Sequence, residues 1–261
     1  MEKICVVGLG TVGYPAANYI KEKGFQVWGY DIRFVDTKKF IFANEWESVP
    51  KNIDVYVICT STGLDSEKKA DLSSIYDVCT KISKSNPSAL VSIESTIPVG
   101  TCNALSQSFG LRNMVHCPHR YWGGDAEKHG VHQLRVLGAI NVEALEKAKK
   151  FYGNLKIPIQ IVSKVEVAEL SKVTENTYRF VHIAFAEETK MLCEYLGLDF
   201  KEVRKACNTK WNIEILEARD GIGGECLPKD TQYFRLISKN SHLVDGAVKT
   251  DLLYKTQKKS K

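Results

Sequence analysis

The sequence predicts an α/β protein, with a doubly wound parallel sheet followed by an all-helical domain that contains one long helix. Two observations support this prediction. Short apolar segments alternate with amphipathic segments through residues 1–162, as in βαβ units. Beyond them the strand pattern stops, and apolar residues recur at spacings of three and four through Leu196 without a proline. We therefore predict two domains, residues 1–162 and residues 163–261.

The predicted elements follow from these periodicities. Strands are predicted as apolar runs over residues 3–8, 25–31, 54–60, 89–95, 113–117, 135–140 and 157–162. Helices are predicted over residues 12–23, 72–83, 141–153 and 164–196, from residue 200, and around residues 236–253. At 1.5 Å per residue the long helix would span about 50 Å, which exceeds the face of a small domain. We therefore expect it to link domains or to form the seam of a homodimer.

Composition and charge exclude several classes of function. The chain is 44% hydrophobic and 26% charged, with a net charge of +5. Much of the positive charge lies in "KTQKKSK", which we expect to be a solvated tail, and no basic patch is interleaved with aromatic residues. Nucleic acid is therefore not a predicted partner. The sequence has no run of about 18 apolar residues, so no membrane span is predicted.

The cysteines and the N-terminal segment predict a reduced, cytoplasmic protein. The opening "MEKICVVG" enters a strand directly, without the pattern of a secretory signal. The eight cysteines are scattered, and no pair has C-x-x-C spacing. A reduced cysteine in an apolar segment behaves as a small hydrophobic residue.

The segment "VVGLGTVG" indicates a dinucleotide site of the Rossmann type. It sets Gly8, Gly10 and Gly13 in G-x-G-x-x-G spacing, directly after a strand and at the start of a helix. The next strand ends in Asp31, whose carboxylate can bind the ribose hydroxyls of NAD and would repel the 2′-phosphate of NADP. Nearby Arg33 weakens this preference, and the alternative is an ordinary tight turn. The predicted cofactor is NAD, and its predicted binding residues are Gly8, Gly10, Thr11, Val12, Gly13, Asp31, Arg33, Thr60, Ser95 and Thr96.

A second motif, "GIGGECLPKD", places three glycines before Cys226 and a cation and a carboxylate just after it. A thiolate is a nucleophile, and a neighbouring cation such as Lys229 favours it. Asp230 could orient a water or accept a proton. The alternative is a buried loop cysteine beside a surface Lys–Asp pair, and spacing alone leaves both interpretations open.

Four segments resemble the UDP-glucose/GDP-mannose dehydrogenase family, whose members make sugar-nucleotide uronic acids by two NAD-dependent oxidations. They are "ICVVGLGTVGYPAA", "VSIESTIPVGT", "AELSKVTENTYRFVHIAFAEE" and "GIGGECLPKD". The resemblance implies that a nucleotide-sugar primary alcohol is the small-molecule substrate and that Cys226 forms a thiohemiacetal and then a thioester. It also implies that Lys172 stabilises the oxyanion, that Asn176 shares its helix face, and that Asp230 and Thr96 hold the water.

The sequence departs from the family pattern in three places. The family has a third domain that grips the nucleotide, and the sequence ends before such a domain. Pro118 is followed by His119 where the family has a glutamate that assists hydrolysis, and a second family glutamate falls on Gly123. The segment between Asp31 and Asp54 is also shorter, and "TSTG" replaces a threonine-proline ending. Histidine can act as a base near neutral pH, so we expect either that His119 substitutes or that hydrolysis is lost.

Three alternatives stay open at this point. The residues His116, Cys117, His119, His129 and His132 could bind a metal ion, although a polar rim of the active site explains them as well and no metal is predicted. A β-hydroxyacid dehydrogenase would use a helix-borne lysine, but simple alcohol oxidation needs no nucleophile such as Cys226. The third alternative is a non-catalytic NAD-binding paralogue.

Overall fold

The computed structural model describes residues 2–237 and 240–259. The chain divides into two compact units, residues 1–172 and residues 173–261. The strands described in the first unit are β1 (Lys3–Val7), β2 (Gln26–Tyr30), β3 (Ile41–Ala43), β4 (Val55–Ile58), β5 (Gly63–Leu64), β6 (Ala70–Asp71), β7 (Leu90–Ile93), β8 (Met114–His116), β9 (Arg135–Ala139) and β10 (Ile159–Ile161).

Eight of the described strands form one sheet in the order β10-β9-β8-β7-β4-β1-β2-β3, and β5 pairs with β6 in a separate hairpin. Neighbouring strands of the large sheet are parallel except β8 and β9, which are antiparallel. The segment between β8 and β9 contains only a short 3-10 turn, Gly123–Asp125, so the chain returns beside β8 without a crossover helix. The predicted α/β class with a doubly wound parallel sheet is confirmed, with this one antiparallel pair.

The described helices are α1 (Gly13–Glu22), α2 (Ser73–Ser85), α3 (Thr101–Phe109), α4 (Val142–Asn154), α5 (Val165–Leu196), α6 (Phe200–Cys207), α7 (Cys226–Ile237) and α8 (His242–Lys259). Alternate residues of β1 point to opposite faces of the sheet. Ile4 and Val6 pack in a cluster with residues of α1 and α4, while Cys5 and Val7 pack with residues of α2 and α3. Helices therefore cover both faces, and the strands between them are buried on both sides.

Several element predictions differ from the structure. The sequence pattern did not predict β3, α3 or the β5–β6 hairpin. The helix predicted around residues 236–253 is two helices, because α7 already begins at Cys226 and α8 begins at His242. Ser238 and Lys239, which that prediction included, lie outside the described residues. The predicted tail is helical as far as Lys259, and Ser260 and Lys261 also lie outside the described residues.

The start of α5 belongs to the sheet unit. Gly138 on β9 lets this helix approach closely, since a Cβ there would lie 2.8 Å from the Cα of Val165. One turn later, Glu169 accepts hydrogen bonds from the backbone N–H groups of Gly100 (2.6 Å) and Cys102 (2.8 Å) and so caps α3. These contacts place the division between the compact units inside α5, and the predicted domain boundary after residue 162 stays a prediction.

Among the described helices, none combines the length and the apolar composition that crossing a membrane requires.

Candidate functional site

The turn between β1 and α1 needs glycine at two of its three motif positions. Gly8 has a φ of +84°, and a Cβ there would lie 2.8 Å from the backbone N of Thr60. A Cβ on Gly13 would lie 1.8 Å from the carbonyl oxygen of Gly8. By contrast, apart from its neighbours in the chain, no residue that the structure describes places an atom within 4 Å of the position a Cβ would take on Gly10, so open space adjoins the backbone there. Such a turn lets a ligand approach the main chain and the start of α1.

A cleft of about 290 Å³ adjoins this turn. It is lined by residues at the carboxyl ends of β1, β2 and β4, among them Gly8, Asp31 and Thr60. The strand order reverses between β1 and β4, and such a switch point is where α/β sheets bind ligands. The cleft therefore lies where the glycine motif predicts a dinucleotide.

Asp31 is buried and ionised at the end of β2. Its Oδ2 accepts the backbone N–H of Leu9 (2.8 Å), and its Oδ1 accepts the backbone N–H of Arg33 (2.9 Å). Burial by itself would raise the pKa of Asp31, but these bonds and the Arg33 guanidinium hold it below its ordinary value. Nε of Arg33 also pairs with Asp31 Oδ1 at 3.4 Å, so the carboxylate is held at the edge of the cleft. This is the position that binding of the NAD ribose hydroxyls would require.

The other predicted cofactor residues lie either after β4 and β7 (Thr60, Ser95 and Thr96) or in the glycine turn (Thr11 and Val12). Ser95 and Thr96 follow β7, and Ser95 Oγ donates to the carbonyl of Thr60 at 2.5 Å, while Thr62 Oγ1 donates to the carbonyl of Thr96 at 2.8 Å. The hydroxyl of Thr60 is buried and has no hydrogen-bond partner among the described residues. A buried hydroxyl beside an open cleft fits a bound ligand. Thr11 and Val12 lie in the glycine turn, and Thr11 is exposed.

A buried ionic network lies behind this edge of the sheet. Glu94, directly after β7, accepts hydrogen bonds from Arg135 Nη1 (2.8 Å) and from the Tyr152 hydroxyl (2.7 Å). Burial alone would raise the pKa of Glu94, but Arg135 and His119 lower it to about 2. Sequence reasoning missed Glu94 and Arg135, although each is a charge at the end of an apolar run, "LVSIE" and "RVLGA".

His119 faces this network. Its Nε2 contacts the Glu94 carboxylate, and its side chain is almost entirely buried. Burial, followed by the nearby Arg135 charge, lowers the pKa of His119 below its ordinary value despite the opposing effect of Glu94. The imidazole is therefore neutral at pH 7, with one nitrogen directed at a carboxylate that can orient the ring.

The metal alternative finds little support in the geometry. In the described part of the chain, one ligand atom each from Cys59, Glu94 and His119 lies within 4.8 Å of the others, and this is the one such group. The Arg135 guanidinium already shares the Glu94 oxygen, and its fixed positive charge disfavours a cation there. The five residues named from the sequence are not brought together as a ligand set.

The second unit holds the cysteine motif at the start of α7. Cys226 is the first residue of this helix and is exposed. Asp230, one turn later, is fully buried, with Oδ1 bonded to Lys229 Nζ and Oδ2 bonded to Asn176 Nδ2, both at 2.5 Å. Lys229 Nζ also lies 4.5 Å from the centroid of the Tyr233 ring. The motif therefore presents a thiol at a helix N-terminus, where negative charge is favoured, and fixes an amide from α5. Lys172 lies on α5 one turn before Asn176.

Comparison with known proteins identifies the family. Residues 33–156 match the profile of the UDP-glucose/GDP-mannose dehydrogenase family, NAD binding domain, and residues 166–251 match the profile of the same family's central domain. The chain belongs to the UDP-glucose/GDP-mannose dehydrogenase family. The predicted resemblance is confirmed, and so is the presence of the family's NAD-binding domain.

Individual relatives show the extent of the likeness. The chain is 30% identical over 274 residues to UDP-N-acetyl-D-mannosamine dehydrogenase of Methanocaldococcus jannaschii, covering 94% of this chain and 64% of that protein. The structure of UDP-D-ManNAc dehydrogenase from Pyrococcus horikoshii superposes with a TM-score of 0.88 at 29% identity, over 97% of this chain and 68% of that one. 3-Hydroxyisobutyrate dehydrogenase of Mycobacterium tuberculosis shares the fold, with a TM-score of 0.70 at 16% identity over 95% of this chain and 92% of that one.

We predict that NAD raises the melting temperature of the protein more than NADP does at equal concentration. A ligand at a hundredfold excess over its Kd adds about 2.7 kcal/mol to the free energy of unfolding, and the Asp31 carboxylate repels a 2′-phosphate. Asp31→Ala should shrink the difference between the two dinucleotides, while Asp36→Ala, an exposed acid on the same segment, should leave it unchanged. If neither dinucleotide shifts the wild-type transition in differential scanning fluorimetry, the cleft does not bind this cofactor.

We also predict that His116 makes the sheet unit less stable in mild acid. His116 is fully buried, and both ring nitrogens lack hydrogen-bond partners among the described residues. Burial lowers its pKa to about 3, whereas the unfolded chain binds the proton near pH 6.5. Below pH 6.5 the unfolded state therefore holds more protons, and the free energy of unfolding falls with falling pH by up to about 1.4 kcal/mol per unit.

His116→Phe removes this titration, so its unfolding free energy should fall less steeply than that of the parent between pH 6.5 and 5. Urea unfolding followed by tryptophan fluorescence measures it, in a Trp211→Phe background so that the signal comes from Trp28, Trp46 and Trp122 of the first unit. Taking the difference between two otherwise identical chains cancels the contributions of other titrating groups. Equal slopes for the two chains would contradict the assignment.

Proposed function

We propose that this protein is an NAD-dependent dehydrogenase that oxidises the primary alcohol of a nucleotide sugar toward the uronic acid through a covalent adduct on Cys226. The observation that carries the proposal is the exposed Cys226 at the N-terminus of α7, in the unit where Asp230 fixes the amide of Asn176. The family membership supports the same chemistry. The chain spans 64% of the length of the curated relative from M. jannaschii, and the activity therefore stands as a proposal.

The proposed steps follow from the chemistry of the thiol. NAD, when bound, takes up the two electrons of each oxidation. The Cys226 sulfur attacks the aldehyde carbon formed by the first oxidation and gives a thiohemiacetal, which the second oxidation converts to a thioester. The N-terminus of α7 favours the negative charge that develops near the sulfur. Water then cleaves the thioester, releasing the acid and the free thiol.

The buried polar residues are proposed to orient this chemistry. Since both oxygens of Asp230 are bonded and the residue is fully buried, we assign Asp230 to orienting Asn176 and Lys229. Lys172 and Asn176 are proposed to stabilise the oxyanion. Thr96 is proposed to help position the water. His119, neutral and oriented by Glu94, is proposed to take the part of the family glutamate in hydrolysis, though less effectively.

A UDP-linked N-acetylhexosamine is the substrate we propose to test first. The curated relative from M. jannaschii is a UDP-N-acetyl-D-mannosamine dehydrogenase, and the similar structure from P. horikoshii is that of a UDP-D-ManNAc dehydrogenase. The proposed cofactor is NAD and the proposed partner is a second copy of the chain.

The decisive experiment is intact-protein mass spectrometry after incubation with NAD and UDP-N-acetyl-D-mannosamine, with absorbance of NADH measured in parallel. We expect two NADH for each acid formed and a sugar-nucleotide adduct, because a positioned general base contributes about 10²–10⁴-fold and His119 is proposed to supply only part of this. Cys226→Ala should abolish the adduct. Cys207→Ala, which removes another exposed cysteine of the same unit, should keep it.

His119→Glu should speed acid release and lower the adduct level. If His119→Ala still forms the acid rapidly over many turnovers, His119 is not the general base of hydrolysis and another residue has that role. One NADH for each substrate without an adduct would instead indicate a two-electron dehydrogenase of the β-hydroxyacid type. Binding of NAD with no oxidation of any nucleotide sugar would favour the non-catalytic alternative.

The proposed homodimer rests on the exposed face of α5. Tyr178, Phe185 and Leu192 recur at seven-residue spacing on this helix and are 63%, 59% and 55% exposed. An apolar stripe of this kind marks an interface, and two-fold pairing is the commonest way to cover it. Light scattering at micromolar concentration should report twice the chain mass, and Phe185→Glu should lower it. A monomeric wild-type chain would contradict the proposal.

A further inference from the structure

Helix α8 holds the segment that leads to Cys226 through side chains that bond its backbone. Residues 208–225 contain no helix or strand. Tyr254 donates its hydroxyl proton to the carbonyl of Arg219 at 2.6 Å. Two further residues of α8 bond the main chain of Ile222: Asp251, one turn before Tyr254, and Lys255, the residue after it.

The contact at Ile222 captures both polar groups of one residue. Asp251 Oδ1 accepts the Ile222 N–H at 2.7 Å, and Lys255 Nζ donates to the Ile222 carbonyl at 2.8 Å. The same Nζ donates to Asp251 Oδ2 at 2.7 Å, which closes a ring of three bonds. Ile222 is 3% exposed and packs against Phe180 and Ala184 of α5. Bonds to charged groups in such surroundings are stronger than neutral ones.

This arrangement also explains the first glycine of "GIGGEC". Gly221 has a φ of +95°, and a Cβ there would lie 2.5 Å from Cγ and Cε of Lys255. The aliphatic part of Lys255 therefore crosses directly over Gly221. At Gly223 and Gly224, in contrast, no described residue other than the adjoining ones in the chain places an atom within 4 Å of where a Cβ would be. The backbone is held at residues 221–222 and is open at residues 223–224, immediately before Cys226.

We propose that Asp251 and Lys255 are positioning residues for Cys226, because their hold on Ile222 fixes the point from which the last glycines turn into α7. The proposal rests on the proposed function in taking Cys226 as the nucleophile. Neither side chain is assigned a contact with substrate or cofactor. Their effect is to narrow the range of positions that the thiol and the first turn of α7 occupy.

Glu187 is a second acid near Asp251 and Lys255, and its protonation state decides whether it competes for the Lys255 ammonium group. Glu187 on α5 is fully buried, and neither of its carboxyl oxygens has a hydrogen-bond partner among the described residues. Burial first, and then the charge of Asp251, raise the pKa of Glu187 to about 7, against an opposing effect of Lys255. In its protonated form Glu187 does not compete with Asp251 for the Lys255 ammonium group.

Three variants separate the anchor from general effects on α8. Lys255→Met keeps the aliphatic chain over Gly221 and removes the donor, while Asp251→Asn keeps the shape and removes the charge. Lys255→Arg keeps a donor cation and should retain wild-type behaviour. The control is Lys258→Met, which breaks the exposed ion pair between Lys258 and Asp220 (2.9 Å) on the same helix and the same segment without touching Ile222.

Two readouts of the full chain report the effect without needing turnover. Hydrogen–deuterium exchange of peptides covering residues 221–225 should become about tenfold faster in both variants. Asp251→Asn weakens the acceptor of the Ile222 N–H, and Lys255→Met removes the cation that holds the Asp251 carboxylate in place. The rate of iodoacetamide labelling at Cys226, divided by the rate at exposed Cys207, should fall at least threefold. Cys226 is exposed in the wild-type chain, so a change in this ratio reports the loss of the ordered first turn of α7 that carries the thiol.

With the nucleotide sugar and NAD, kcat should fall in both variants while KM changes little, because the reacting geometry is lost and not the binding surface. Unchanged exchange of residues 221–225 would overturn the proposal, and so would faster exchange with an unchanged labelling ratio. If Asp251→Asn fails to fold, Lys255→Met decides. If exchange and labelling change in the variants as expected but the wild-type chain never oxidises a nucleotide sugar, the proposed function is refuted and the anchoring of Cys226 is still supported.

Discussion

The sheet unit depends on the pairing of one buried carboxylate. Removing a charge from water costs several kcal/mol unless it is neutralised and hydrogen-bonded. Glu94 satisfies this condition only where β7, β9 and α4 meet, because Arg135 comes from β9 and Tyr152 from α4. Ser95 and Thr96 follow Glu94 at once, so the same pairing sets the path of the chain past the carboxyl end of β4. The buried network thereby connects the stability of the sheet with the edge at which we predict that the dinucleotide binds.

Much of the fold could be predicted from sequence because its main strands are buried on both faces. A strand such as β4 is then a continuous apolar run, and the long helix α5 shows an uninterrupted helical period. The elements that were missed are those whose stability is not local. Helix α3 is capped by Glu169, some 67 residues away in the chain. The strand β3 has only three residues and is partly exposed at the sheet edge.

The helix that begins at Cys226 was not among the predicted elements. Pro228 is the third residue of this helix, α7. The N–H groups of the first turn have no partner within the helix, so a proline costs little there. In the candidate site, Gly8 and Asp31 could be predicted from sequence, because both belong to one βαβ unit with a recognisable spacing of glycines and acid. The bond between Asn176 and Asp230 joins residues 54 positions apart, and only the resemblance to the family indicated Asn176.

The segment before Cys226 shows how an irregular backbone can be ordered without secondary structure. A main-chain group that is buried without a partner costs about as much as a lost hydrogen bond. Side chains meet this need here: Asn208 bonds both polar groups of Ile215, and the pair on α8 does the same for Ile222. The conformational freedom of the glycines is thus confined to Gly223 and Gly224. The nucleophile role proposed for Cys226 requires open space for a substrate and a fixed position relative to it, and this division of one short motif is suited to both.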